Sequence, residues 1–114
     1  MDKRTGVRIA GNESAKIYTD AAQETFVIVW TEYFKYRAGL RGFDLTAVEK
    51  ILGSGNERYF DTATGRNVVV GRHGQLLVLI PYEIIGDSIT PVTIHATTRQ
   101  QINFRLKNGR FIYE

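Results

Sequence analysis

The sequence predicts an α+β fold: two N-terminal helices packed on an antiparallel sheet of about four strands, followed by a basic C-terminal helix. Three observations predict it. From Arg66 to Ala96, apolar segments are separated by the tight turn signals His73–Gly74 and Gly86–Asp87, which leave room only for antiparallel neighbours. From Glu32 to Leu52, two runs with helical spacing each open on a capping residue and close on glycine. From Arg99 to Lys107, RQQINFRLK follows two threonines and gathers basic residues.

Residues 1–24 mix Gly11, Asn12, Ser14 and Asp20 with the short apolar pieces GVRIA and AKIYT, as a weak hairpin or a flexible arm would, and residues 25–114 form the single domain proper. TFVIVW, from Thr25 to Trp30, is dense in β-branched and aromatic residues and reads as a buried strand, with a helix beginning near Asp20 as the alternative. Thr31 is placed to cap a first helix through Leu40, and Gly42 sits where a glycine just past the end would stop it. Asp44 or Thr46 opens a second helix whose buried stripe is Leu45, Val48, Ile51 and Leu52, and Gly53, Ser54 and Gly55 end it. RYFD, the turn TATG and RNVVVGRH begin the sheet. LLVLI is apolar on both faces, as a strand covered on both sides must be. VTIHA instead alternates, with Val92, Ile94 and Ala96 inward and Thr93, His95 and Thr97 outward. Pro81 and Pro91 mark a bulge or an edge near each. Thr97 caps the last helix with Gln100 at the capping-box position, Ile102 and Leu106 face inward, and Asn108–Gly109 turns the chain into RFIYE, a returning strand or a tail.

Composition narrows the function classes. A chain of 114 residues with 43% apolar content buries a core without disulfides, and with no Cys there is no thiolate metal site. No apolar run approaches the about 18 residues of a membrane span, and the first residues lack the apolar stretch of a signal peptide, so a cytoplasmic protein with no membrane partner is expected. The formal charge is +3, and the segment from Ala96 onward, with Arg99, Arg105, Lys107 and Arg110 against Glu114, accounts for all of it. Such a local excess steers towards phosphate or an acidic partner, or is simply a solvated helix face.

The candidate site lies where the last strand meets the last helix. His95, Thr97, Thr98 and Arg99 would offer an anion an imidazole, hydroxyls, a guanidinium and the free N–H groups of a helix start. Arg66 and Arg72 share one strand face with Val68 and Val70, a pattern that suits phosphate binding or a wet sheet edge. His73 beside Gly74 reads first as a hairpin-turn residue. Arg99 in a first turn opposes the helix dipole, so an anion or a neighbouring Glu is expected beside it. There is no metal-ligand spacing, phosphate-loop glycine pattern or nucleophile elbow, and no cofactor is expected.

This order of elements, carried by LRGFDL (Leu40 to Leu45), RNVVVG (Arg66 to Gly71), LLVLI (Leu76 to Ile80) and VTIHATTRQQ (Val92 to Gln101), resembles the RelE/ParE superfamily of small bacterial toxins, nearest its BrnT-like branch and related small domains. The resemblance covers about Val27 to Arg110. It implies a RelE-like fold and a metal-independent endoribonuclease held silent by a small antitoxin protein, cutting RNA by attack of the ribose 2′-OH on the adjacent phosphate. On that reading His95, His73 and Arg99 are the catalytic candidates, and Arg66, Arg72, Thr97, Thr98 and Arg105 hold the RNA. Where the BrnT branch carries a Lys-His-Gly step this chain has Leu40, Arg41 and Gly42, and where it places Arg directly after the strand's Ala this chain has Thr97. The alternative is a non-catalytic module of the same fold that docks an acidic protein or a nucleic acid through its basic helix; gyrase-directed toxins share the fold as well.

Overall fold

In the centre of the sheet two adjacent strands, RNVVVGRH and LLVLIPYEII, are apolar on both faces, so each face must be covered by something else. The computed structural model describes residues 8–10, 13–19 and 25–114. In chain order these form β1 (Arg8–Ala10), β2 (Glu13–Thr19), β3 (Thr25–Val29), α1 (Glu32–Leu40), α2 (Leu45–Ser54), β4 (Glu57–Asp61), β5 (Arg66–His73), β6 (Leu76–Ile85), β7 (Ser88–Pro91), β8 (His95–Ala96), α3 (Arg99–Lys107) and β9 (Phe111–Tyr113). The class is α+β with three helices among the described residues.

The sheet is larger and more mixed than the sequence led us to expect. Its order is β1-β2-β3-β7-β6-β5-β4-β9, with β8 also paired to β6. The expected antiparallel meander is its β4–β7 portion. β3 adds to β7 in parallel: the helical hairpin carries the chain across to β4, and the three antiparallel steps from β4 to β7 bring it back beside β3 in the same direction. RFIYE returns as edge strand β9 against β4. The two helices expected at the N-terminus therefore follow three strands. The arm expected over residues 1–24 falls partly on residues 1–7, 11–12 and 20–24, which lie outside the described residues; β1 and β2 pair with each other, and β2 with β3.

One face carries Val69, Val78, Ile80 and Tyr82, and α1 and α2 cover it with Phe34, Ala38, Val48, Ile51 and Leu52, joined by Ile28, Trp30, Ile89 and Ile94. The opposite face carries Tyr59, Val68, Val70, Leu77 and Leu79 beneath Ile102 of α3 and Phe111. The local signals behave as their chemistry requires. Thr31 Oγ1 accepts from Phe34 N at 3.1 Å, Asp44 Oδ2 accepts from Ala47 N at 3.2 Å, and Gly42 follows α1 at φ 76°, a left-handed conformation that glycine adopts without strain. Arg58 of β4 closes the far end of α2: its guanidinium donates to Gly55 O at 2.9 Å and Leu52 O at 2.6 Å, and reaches the hydroxyl of buried Tyr82 at 3.1 Å.

The last helix is capped by Thr98, not by Thr97. Thr98 Oγ1 accepts from Gln101 N at 3.1 Å, while Thr97 is buried and donates to Gln101 Oε1 at 3.0 Å. The alternation expected for VTIHA fails at Thr97, which is buried, and at Ala96, which is exposed.

α2 lies close on β5 because Gly71 has no side chain. A Cβ there would meet Ile51 Cγ2 at 2.7 Å and Cγ1 at 2.9 Å. Gly71→Ala is expected to lower stability by about 1–3 kcal/mol in urea unfolding. Ile51→Ala removes the obstructing atoms, so the double variant should be more stable than the two single losses added together predict; simple additivity would refute the clash.

Candidate functional site

The strand that leaves β7 is interrupted and resumes as β8 one residue out of register. Pro91 stands opposite Tyr82, but His95 stands opposite Leu79, where unbroken pairing would set it against Val78. Directly opposed residues share a face, so this single extra residue moves His95 from the helical-hairpin side to the α3 side. Val92 N donates to Pro81 O at 2.8 Å and Thr97 N to Leu77 O at 2.9 Å, so hydrogen bonds to β6 hold both ends of the interruption. The bulge expected near the prolines is thus what aims His95.

On that side His95 borders a cavity of about 210 Å³ whose walls include Arg66, Arg105 and Arg110. Leu79, Pro81 and Phe111 supply apolar surface, Asp61 and Thr64 close one side, and Val92 and Thr93 come from the interruption itself. Arg110 Nε and Nη2 donate to the two carboxylate oxygens of Asp61 at 3.0 Å each. Burial opposes the Asp61 charge, yet Arg110, the Ala63 N–H and Thr64 together hold its pKa below the usual value. Arg66 Nε is 3.2 Å from Glu83 Oε2. Arg105 lies over the Phe111 ring, 5.5 Å from its centroid, and makes no ion pair among the described residues. The cavity therefore has one guanidinium whose charge no described carboxylate offsets, and two that are turned and steadied by carboxylates.

Behind His95 stands Arg41, the residue that ends α1. Its Nη1 donates to Ile94 O at 2.6 Å and lies 3.5 Å from His95 Nδ1. Desolvation lowers the His95 pKa, and Arg41, Arg105 and Arg37 lower it further, so the imidazole is neutral at pH 7.

The structure divides the residues singled out in the sequence. His95, Arg66 and Arg105 meet at the cavity. His73 does not join them: it belongs to the helical-hairpin face with Val69, its Nε2 accepts from Asp44 N at 2.8 Å, and Phe43 packs edge-on against its ring. It orients the α1–α2 connection and lies across the sheet from His95. Arg72 shares a face with Arg66 but sits at the opposite end of β5, where it donates to Gln75 O at 3.1 Å. Arg99 is held by Glu57 in a two-pronged pair at 2.5 and 2.6 Å, so the anion expected beside it is that carboxylate, kept charged chiefly by Arg99. Glu57 also accepts from Tyr59 Oη at 2.7 Å, and burial together with Glu57 pushes the Tyr59 pKa up to about 12. Thr97 and Thr98 start the helix and do not line the cavity.

Arg41, Asp61 and Arg110 were not among the sequence candidates. Arg110 was visible only as part of the basic tail, and Arg41 only as the residue standing where the BrnT branch has His. Asp61 carries no sequence signal, since its role depends on β9 folding back beside β4.

Since the folded pKa of His95 lies below its ordinary 6.5, the stability it contributes is complete above about pH 6.5 and is lost as the pH falls through the lower folded value. The His95 ring-proton shift followed by NMR should titrate with a midpoint below 6.5. Arg41→Gln removes a neighbouring positive charge and should raise that midpoint; an unchanged or lower midpoint would rule out the electrostatic account. Comparisons with protein-family models, with curated proteins and with solved structures find no match for this chain.

Proposed function

We propose that the protein is a toxin-like, metal-independent endoribonuclease that takes an RNA phosphate into the cavity beside His95. The observation that carries the reading is a neutral imidazole set among guanidinium groups at a cavity of about 210 Å³, a size that suits a phosphate with part of its ribose rather than a whole nucleotide. The order of strand, helical hairpin, antiparallel meander and basic helix supports the RelE/ParE resemblance, and with it a small antitoxin as partner.

In this reading Arg66, Arg105 and Arg110 surround the phosphate, and His95 accepts the proton of the ribose 2′-OH as its oxygen attacks phosphorus. The bond to the 5′ oxygen breaks, that oxygen takes a proton from water, and the imidazolium later returns its own to solvent. The products are a 2′,3′-cyclic phosphate and a 5′-hydroxyl. His73 and Arg99 have no part, being committed to the α1–α2 connection and to Glu57.

The cavity offers one titrating base and no second histidine to act as acid, which favours a second reading: a non-catalytic module that docks RNA at the same guanidinium groups. A defined single-stranded RNA incubated without metal separates them. Cleavage to cyclic-phosphate ends, slowed about 10²- to 10⁴-fold by His95→Ala, is the result expected of an endonuclease. RNA that binds but stays intact gives the protein to the docking reading. In either case Arg105→Ala should reduce the slope of log affinity against log salt by about 0.7, as loss of one single-strand phosphate contact does.

A further inference from the structure

α3 presents a second recess on its outer side. Gln100, Phe104 and Asn108 recur at every fourth residue, with Gln101 and Arg105 beside them, and line an open hollow of about 430 Å³. Two of its lining residues, Arg105 and Arg110, also line the cavity beside His95, so the two recesses adjoin across a pair of guanidinium groups. Ile102 on the opposite side of the helix is buried in the α3-side core and fixes which side of α3 faces out.

The chemistry of the hollow differs from that of the cavity. Phe104 is 66% exposed and offers a flat aromatic face. Around it stand three side-chain amides. Asn108 Oδ1 accepts from Arg110 N at 3.0 Å and Gln101 Oε1 accepts from Thr97 Oγ1, which occupies the oxygens of both amides and leaves their NH₂ groups as donors. An aromatic face for stacking, amides for a base edge and arginines on the phosphate side are the elements of a nucleobase subsite. The hollow lies in the range of sizes that hold a small ligand, whereas the cavity beside His95 is smaller.

We infer that the outer side of α3 binds the base of a single-stranded RNA nucleotide next to the phosphate held beside His95, with Phe104 stacking on the base and Gln100, Gln101 and Asn108 facing its edge. The inference rests on the RNA reading above and narrows it, because a base paired in a duplex has both faces covered by its neighbours and cannot stack on Phe104. The substrate class is then single-stranded RNA, and sequence preference arises on α3 rather than at the cavity.

The test uses the whole chain, a fluorescein-labelled single-stranded RNA in anisotropy titrations, and inorganic phosphate followed through the His95 ring-proton shift. Phe104→Ala should weaken RNA binding about 5- to 150-fold, the range that loss of one stacked base gives, while Phe104→Trp retains it. Both variants should bind inorganic phosphate as the parent does. Phe104 touches neither core, so loss of folding is not expected, and a far-UV spectrum verifies it. Undiminished RNA affinity in Phe104→Ala, with phosphate still shifting His95, overturns the base subsite and leaves the cavity reading in place. RNA affinity that depends on Phe104, with no response of His95 to phosphate and no effect of Arg105→Ala, supports the hollow and refutes the cavity. No RNA binding at all overturns both.

Discussion

Everything in this molecule depends on burying both faces of β5 and β6. Val69, Val78 and Ile80 belong to one core and Val68, Val70, Leu77 and Leu79 to the other, so neither strand has a face that water can cover without losing apolar burial. The helical hairpin and α3 are the answers to that demand, one on each side. Gly71 sets how near the hairpin approaches, and Arg58 ties the end of α2 to Tyr82 on the same face. On the α3 side Ile102 anchors the helix, Thr97 is shut beneath its first turn, and the Arg99–Glu57 pair joins that turn to β4.

The site arises where this two-sided rule is briefly broken. A regular continuation of β7 would have sent His95 into the core under the hairpin, where an imidazole among Phe34, Trp30 and Val78 would have to be neutral and hydrogen-bonded. One extra residue turns it to the other face. The same residue turns Ile94, next to it, the opposite way: regular pairing would set it against Leu79 on the α3 side, and it lies instead in the hairpin core. The interruption also leaves Ile94 O free to accept from Arg41, so the same irregularity brings a guanidinium from the hairpin's connection to 3.5 Å from His95 Nδ1. A cation from one layer thereby adds to desolvation in lowering the proton affinity of a histidine that faces the other.

Much of the layout could be read from the sequence, and the reasons are local. Thr31, Asp44, Gly42 and the turn glycines act within a few residues of themselves, and the two-faced apolarity of LLVLI announced a covered central strand. What could not be read depends on distant pairing. The parallel β3–β7 contact has no sequence signature, and neither does the return of Phe111–Tyr113 beside β4, yet that return brings Arg110 to Asp61. Alternation places His95 and Thr97 outward; His95 is exposed at the cavity margin, whereas Thr97 is buried under the first turn of α3, which alternation along one strand cannot show. The helix dipole makes the need of Arg99 for an anion legible in the sequence, but the partner, Glu57, is 42 residues away and is brought beside it only by the fold.

On the proposed reading, the arrangement couples ligand charge to proton affinity. In the free protein, desolvation and three guanidinium groups hold His95 neutral. A phosphate entering the cavity brings negative charge beside the same imidazole and offsets Arg105, one of the cations that depress it. Both effects favour the protonated form, so His95 becomes more basic at the moment a 2′-hydroxyl is presented to it. By reciprocity, a protonated His95 binds the phosphate more tightly than a neutral one. A histidine surrounded by arginines is thus compatible with base chemistry, since the ligand that needs the base also reverses the field that weakens it.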